Sequence, residues 1–144
     1  MRVSGLLDVK GTQVFTVSPD AVVADVASLL TEHGIGAAVV SATGSDIRGV
    51  VSERDIVTAL ARRGAEVLDD HVTTVMTRDI VTCRLETTVE QLMTKMTERR
   101  VRHVPVIEEG MLVGIVSIGD AVRDRISDLE SETRVLHDYI AHGR

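Results

Sequence analysis

The 144-residue chain is long enough for one domain or two small interlocking halves, and its 44% apolar content is almost entirely aliphatic and rich in β-branched residues. A formal net charge of −6 and the scarcity of aromatics (Phe15, Tyr139, no Trp) argue against a basic nucleic-acid face and against the stacking platforms of single-strand binders. The single Cys83 rules out an intramolecular disulfide and fits a reducing compartment; no run approaches the roughly 18 apolar residues of a membrane span, and the N-terminus lacks a signal-peptide core, so the expected setting is cytoplasmic.

Taken in order, Val3, Leu6 and Leu7 mark a short helix that Gly11 interrupts. Val14 to Val17 reads as a short strand, and Ser18-Pro19-Asp20 as a turn. Val23, Val26, Ala27 and Leu30 then give one buried helix face, stopped at Gly34-Ile35-Gly36. Ala37 to Val40 is a continuous small-apolar strand suited to burial on both faces. The chain turns at Thr43 to Asp46 and returns as a strand over Ile47 to Val51, and Ser52 opens a helix to about Arg63. Gly64 to Asp70 reads as a linker.

The second half repeats this order. Val72 to Met76 parallels the first short helix, and Ile80-Val81-Thr82-Cys83 parallels Val14 to Val17, 66 positions on. At that offset Val89, Leu92, Met93 and Met96 reproduce the buried helix face, and Val104 to Ile107 the small-apolar strand. The segment Gly49-Val50-Val51-Ser52-Glu53-Arg54-Asp55 recurs as Gly114-Ile115-Val116-Ser117-Ile118-Gly119-Asp120. The pattern is an internal duplication of a β-α-β-β-α unit. The fold class expected is α+β, with two repeats packed about a pseudo-twofold axis, because neither copy alone carries much core. The expected boundaries are 1–68, 69–127 and a C-terminal helical extension over 128–144. From Ile118 a helix can run unbroken to about Ala141, with Val122, Ile126, Leu129, Thr133, Leu136 and Ile140 forming a heptad seam. That seam either folds back on its own domain or meets a second copy in a homodimer, and its charged flanks favour the second.

Taken alone, each Ser-x-x-Asp is a helix cap: Ser accepts an orphan backbone N–H, and Asp in the first turn opposes the dipole. The same two side chains also present a hydroxyl and a carboxylate at a strand–helix corner, where an Asp can accept ribose hydroxyls and the helix N-terminus favours phosphate. Gly34-Ile35-Gly36-Ala37 lacks the third glycine and the strand-to-helix setting of a dinucleotide fingerprint, and the five histidines have no zinc spacing. Cys83, in a strand, reads as a small core residue. No nucleophile elbow or P-loop is present, so neither catalysis nor a catalytic cofactor is expected.

The two Gly-x-x-Ser-x-x-Asp segments, the duplicated element order and Val101-Arg102-His103-Val104-Pro105-Val106 together resemble the cystathionine-β-synthase (CBS) domain family over about residues 3 to 126, in the tandem form called a Bateman module. The resemblance implies a non-catalytic regulator, a ligand sensor in signal transduction. It implies adenine nucleotides as ligands (AMP, ADP, ATP, NAD or S-adenosylmethionine) and a homodimer acting on an unnamed protein. It implies two composite clefts. Site A would join Val50, Ser52, Arg54 and Asp55 to Val101, Arg102, His103 and Pro105. Site B would join Ile115, Ser117 and Asp120 to Thr16, Ile35, Gly36 and Ala37. Arg54, Arg102 and His103, with Arg99 and Arg100 nearby, make site A the cationic one and the expected phosphate holder. The alternative is a protein-interaction scaffold whose clefts are vestigial.

Overall fold

The computed structural model describes residues 1–142; positions 143 and 144 of the expected C-terminal extension lie outside the described residues. The first repeat contains α1 (Val3–Lys10), β1 (Thr16–Val17), α2 (Val23–His33), β2 (Ala37–Val40), β3 (Gly49–Ser52) and α3 (Glu53–Arg63). Two 3-10 turns, Ala65–Asp69 and Val72–Thr74, lead to α4 (Val89–Arg99), β4 (His103–Glu108), β5 (Met111–Ser117) and α5 (Ile118–His142). Strands β1 and β2 run parallel and β2 and β3 antiparallel, and β4 and β5 form an antiparallel pair. This is the expected α+β duplication with a long last helix.

The helices begin and end for local reasons. Ser52 caps α3 and Thr88 caps α4, each in a reciprocal capping box with the residue three positions on. Gly34 ends α2 in the left-handed conformation at φ 60, which only glycine reaches without steric cost. The buried faces are those the periodicity gives: Val23, Val26 and Leu30 on α2, and Val89, Leu92 and Met96 on α4.

Each repeat borrows its opening segment from the other. Val3, Leu6 and Leu7 of α1 pack in one core with Cys83, Leu92 and Val104, while Val72 and Met76 pack in the other with Val23, Val26 and Val51. Matching hydrogen bonds hold the two exchanges. The Val3 N–H donates to the Thr87 carbonyl at 2.8 Å, and the Val72 N–H to the Ala21 carbonyl at 2.7 Å. The Val89 N–H donates to the Met1 carbonyl and the Val23 N–H to the Asp70 carbonyl, both at 2.9 Å. These last two bonds satisfy an orphan donor at the N-terminus of α4 and of α2.

Some local expectations change. The Ile80 to Cys83 strand shrinks to a single parallel bridge, Cys83 to Val106. In the first repeat the Val39 N–H donates to the Phe15 carbonyl at 3.2 Å; the matching position in the second repeat is Pro105, which has no N–H, so that rung is lost. The Gly64 to Asp70 linker contains a 3-10 turn whose Val67 is fully buried. Of the two readings left open for the seam of α5, folding back on its own domain does not hold beyond Leu129, from which every described residue is exposed.

The exchange also accounts for the glycine that opens each Gly-x-x-Ser-x-x-Asp segment. A Cβ at Gly114 would sit 2.9 Å from Leu7 Cδ1, and one at Gly49 would sit 2.6 Å from Met76 Sδ and 2.9 Å from the Thr77 carbonyl oxygen. Gly49→Ala, which forces backbone to move, is expected to lower unfolding stability by about 1–3 kcal/mol in urea titrations. Gly114→Ala, which meets only a leucine tip, should cost less; equal losses would show that the backbone contact at Thr77 is not what the glycine accommodates.

Candidate functional site

The two Ser-x-x-Asp corners have the same local geometry. At the first, the Ser52 N–H donates to Asp55 Oδ2 at 2.8 Å, the Ser52 hydroxyl to the same oxygen at 2.9 Å, and the Asp55 N–H to Ser52 Oγ at 3.2 Å. At the second, the corresponding distances between Ser117 and Asp120 are 2.8, 3.0 and 3.2 Å. The cap is therefore real at both corners, and it engages Oδ2 of each carboxylate. What separates the corners is what reaches the rest of the carboxylate.

At the first corner Asp55 Oδ1 accepts, among the described residues, only the Thr77 hydroxyl, at 3.2 Å. Thr77 arrives with the exchanged segment, paired to Val50 through reciprocal backbone bonds of 3.0 and 2.8 Å. Asp55 lines a cleft of about 240 Å3 between the repeats. Val50, Ile80, Val81 and Val101 give it apolar wall, and Arg54, Arg100 and Arg102 give it cations opposite Glu53 and Asp79. Thus Val50, Ser52, Arg54, Asp55, Val101, Arg102 and His103 share one cleft as expected of site A. Pro105 is buried in β4 with its carbonyl accepting the Cys83 N–H, and it does not line the cleft. Gly36, assigned to site B, lines this first cleft, where a Cβ on it would meet the His103 ring at 3.0 Å. Arg99 is drawn off into an ion pair with Asp79 at 2.8 Å.

At the second corner Asp120 is 7% exposed, and both of its oxygens are taken by cations. Lys10 Nζ donates to Oδ2 at 2.6 Å and to the Ile115 carbonyl at 2.8 Å; Arg123 Nη2 donates to Oδ1 at 2.6 Å. Ile115, Ser117 and Asp120 meet Lys10 here. Of the other residues assigned to site B, Thr16 pairs through its backbone with Val39 and Ala37 with Ser52, and Ile35 packs on the core of the first repeat.

The model of the CBS domain matches residues 7–62 and 72–126. The chain belongs to the CBS domain family. It is 34% identical over 128 residues to the mitochondrial CBS domain-containing protein CBSX3 of Arabidopsis thaliana, covering 86% of this chain and 62% of that one, so it spans less than two thirds of that relative's length. Among solved structures, the CBS-domain protein ATU1752 of Agrobacterium tumefaciens superposes with a TM-score of 0.84 at 46% identity, over 87% of this chain and 99% of that one. The CBS domain protein PAE2072 of Pyrobaculum aerophilum, solved in complex with AMP, superposes with a TM-score of 0.74 at 32% identity, over 83% and 89% of the two chains.

Within this CBS pair, sequence reasoning missed Lys10 and Thr77, because each reaches its corner from the segment lent by the other repeat. The duplication held a signal, since both lie just beyond the exchanged apolar residues Leu7 and Met76. The cations expected only at site A are present at both corners. Those in the first cleft line open space, and those at the second are bound to Asp120.

Burial raises the affinity of Asp120 for a proton, but the Lys10 ammonium and the Ser117 N–H and hydroxyl outweigh it, and the carboxyl stays below its ordinary value. Burial chiefly, with Lys10 and Arg102 against Glu53 and Asp120, holds the His103 imidazole below its usual value and therefore neutral at pH 7. Burial pushes the Cys83 thiol up to about 11, in keeping with a core residue rather than a nucleophile.

A depressed carboxyl contributes stability above its unfolded value near 3.9, and that contribution is lost as pH falls through the lower folded value. Lys10→Met should therefore destabilise the protein at pH 7 by about 1.5–3 kcal/mol in chemical denaturation. The gap to the unsubstituted protein should narrow as pH drops below about 4; a gap independent of pH would assign the loss to packing of the lysine stem.

Proposed function

We propose that this CBS pair is a non-catalytic regulatory module that binds an adenine nucleotide, AMP or a close relative, in the cleft shared by Asp55 and Arg102, and acts as a homodimer on a protein partner. One observation carries the reading. The Asp55 carboxylate keeps an oxygen whose sole partner among the described residues is a hydroxyl at 3.2 Å, in a cleft that also offers apolar wall and arginines. A ribose diol suits that oxygen, an adenine face suits Val50, Val81 and Val101, and a phosphate suits the guanidinium groups. The AMP complex of the Pyrobaculum aerophilum relative supports the same ligand class. At about 240 Å3 the cleft lies near the low end of small-ligand pockets, about 300 Å3, which favours a mononucleotide over NAD. The second corner would have to release two cations before a ribose could use Asp120, so the sites are unequal. A ligand acts here by binding two arrangements of the repeats unequally.

Arg100 adds a signature of use. It ends α4 at φ 54, in the left-handed region where the equivalent residue of the first repeat is Gly34, and it lines the cleft. A bulky residue held there costs about 1 kcal/mol, and such strain is characteristic of functional positions.

The test is a thermal-shift panel of AMP, ADP, ATP, NAD and S-adenosylmethionine. A ligand at 100 times its Kd should stabilise by about 2.7 kcal/mol, seen as several degrees. Asp55→Ala should abolish the shift relative to its own unliganded Tm, and Asp120→Ala should leave it. No response to any of the five would favour a scaffold with vestigial clefts. Arg100→Gly should raise unliganded stability by about 1 kcal/mol while weakening AMP and leaving adenosine unchanged. A loss of stability in that variant would refute the strain argument.

A further inference from the structure

The seam of α5 carries more information than its apolarity. With heptad positions lettered a to g, Ile126, Thr133 and Ile140 fall at a, and Val122, Leu129 and Leu136 at d. Every a residue is β-branched and two of the three d residues are leucine, the combination that favours two parallel strands. All five apolar members are 40–74% exposed. The residues of α5 that are not exposed, Ile118 (which packs on the core), Gly119, Asp120, Ala121, Asp124 and Asp128, centre on a different face. At 3.6 residues per turn that face is centred about 130° around the helix from the seam, so a second helix can reach the seam without meeting the body.

The flanking charges fix the direction. Between Val122 and Ile140 the g positions hold Arg125, Glu132 and Tyr139, and the e positions hold Arg123, Glu130 and His137. Side by side and parallel, Arg125 of each copy meets Glu130 of the other, and Glu132 meets His137. Antiparallel with the whole seam overlapped, Glu130 faces Glu130 and Glu132 faces Glu132, which places two acidic repulsions at the centre. The polar Thr133 is self-matched only in the parallel register, where it opposes itself.

We infer that two copies of this chain join through a parallel, two-stranded coiled coil of α5 over Val122 to Ile140, so that both CBS pairs sit at the same end. The inference rests on the homodimer of the proposed function and is independent of nucleotide binding.

Sedimentation equilibrium of the full chain should give a dimer, and the same chain with Leu136→Asp, a change at an exposed position, should give a folded monomer. Direction is read by oxidation: Ile140→Cys should form a disulfide with itself. A mixture of Val122→Cys and Ile140→Cys chains should give no heterodisulfide, and buried Cys83 should stay reduced throughout. Arg125→Glu should weaken the dimer about tenfold, and adding Glu130→Arg should restore it. A monomer before substitution, or a dimer unaffected by Leu136→Asp, would overturn the interface. A dimer with Val122-to-Ile140 crosslinks would overturn only its direction.

Discussion

Four hydrogen bonds, from the N–H groups of Val3, Val23, Val72 and Val89 to carbonyls of Thr87, Asp70, Ala21 and Met1, tie each repeat to a segment contributed by the other. They matter because the repeats are short. A unit of about sixty residues buries only about 60% of the surface its unfolded chain exposes, less than a larger domain does, and folds alone only marginally. Here the missing layer of each core comes from outside its own repeat: α1 for the second, Val72 and Met76 for the first. Part of what distinguishes the two corners follows from that exchange. It brings Thr77 to Asp55 and Lys10 to Asp120, and it demands glycine at 49 and 114.

The Ser-x-x-Asp motif therefore serves two purposes that are chemically separable. Oδ2 of each Asp belongs to the helix cap, with nearly identical distances in both copies. What else reaches the carboxylate differs: Oδ1 meets the Thr77 hydroxyl at Asp55 and the Arg123 guanidinium at Asp120, where Lys10 also reaches Oδ2. A weakly engaged acceptor beside apolar strands is open to a sugar hydroxyl, whereas one clamped by a guanidinium, with an ammonium on its neighbour, is already neutralised. The corners diverge through the residues brought to them rather than through the motif itself.

Most of the architecture was legible because buried positions repeat with the chain. Val23, Val26 and Leu30 return as Val89, Leu92 and Met96 whatever the intervening letters, and the Ser caps start α3 and α5 where expected. Pairings that cross between repeats were not legible, because a local pattern cannot say which core an amphipathic turn will fill. Hence Lys10 and Thr77 escaped notice, Gly36 turned up in the other cleft, and the cations looked one-sided. The lost rung opposite Pro105 was readable in principle, since a residue without an N–H cannot donate to a neighbouring strand. Val67, fully buried within an apparent linker, follows no period that a short stretch can display.

The two ends of α4 and α2 show how one fold can be stable in one copy and specialised in the other. Both helices must terminate so that β2 and β4 can enter beside the opposite repeat, and both do so through a left-handed residue. The first repeat takes the low-energy solution, Gly34, and places no side chain there. The second uses Arg100, accepts about 1 kcal/mol of backbone strain, and gains a guanidinium on the wall of the open cleft. A neutral requirement of the fold would be met by glycine at both positions. The departure falls at the cleft whose Asp keeps an available oxygen, so strain, cation and acceptor converge on the same corner.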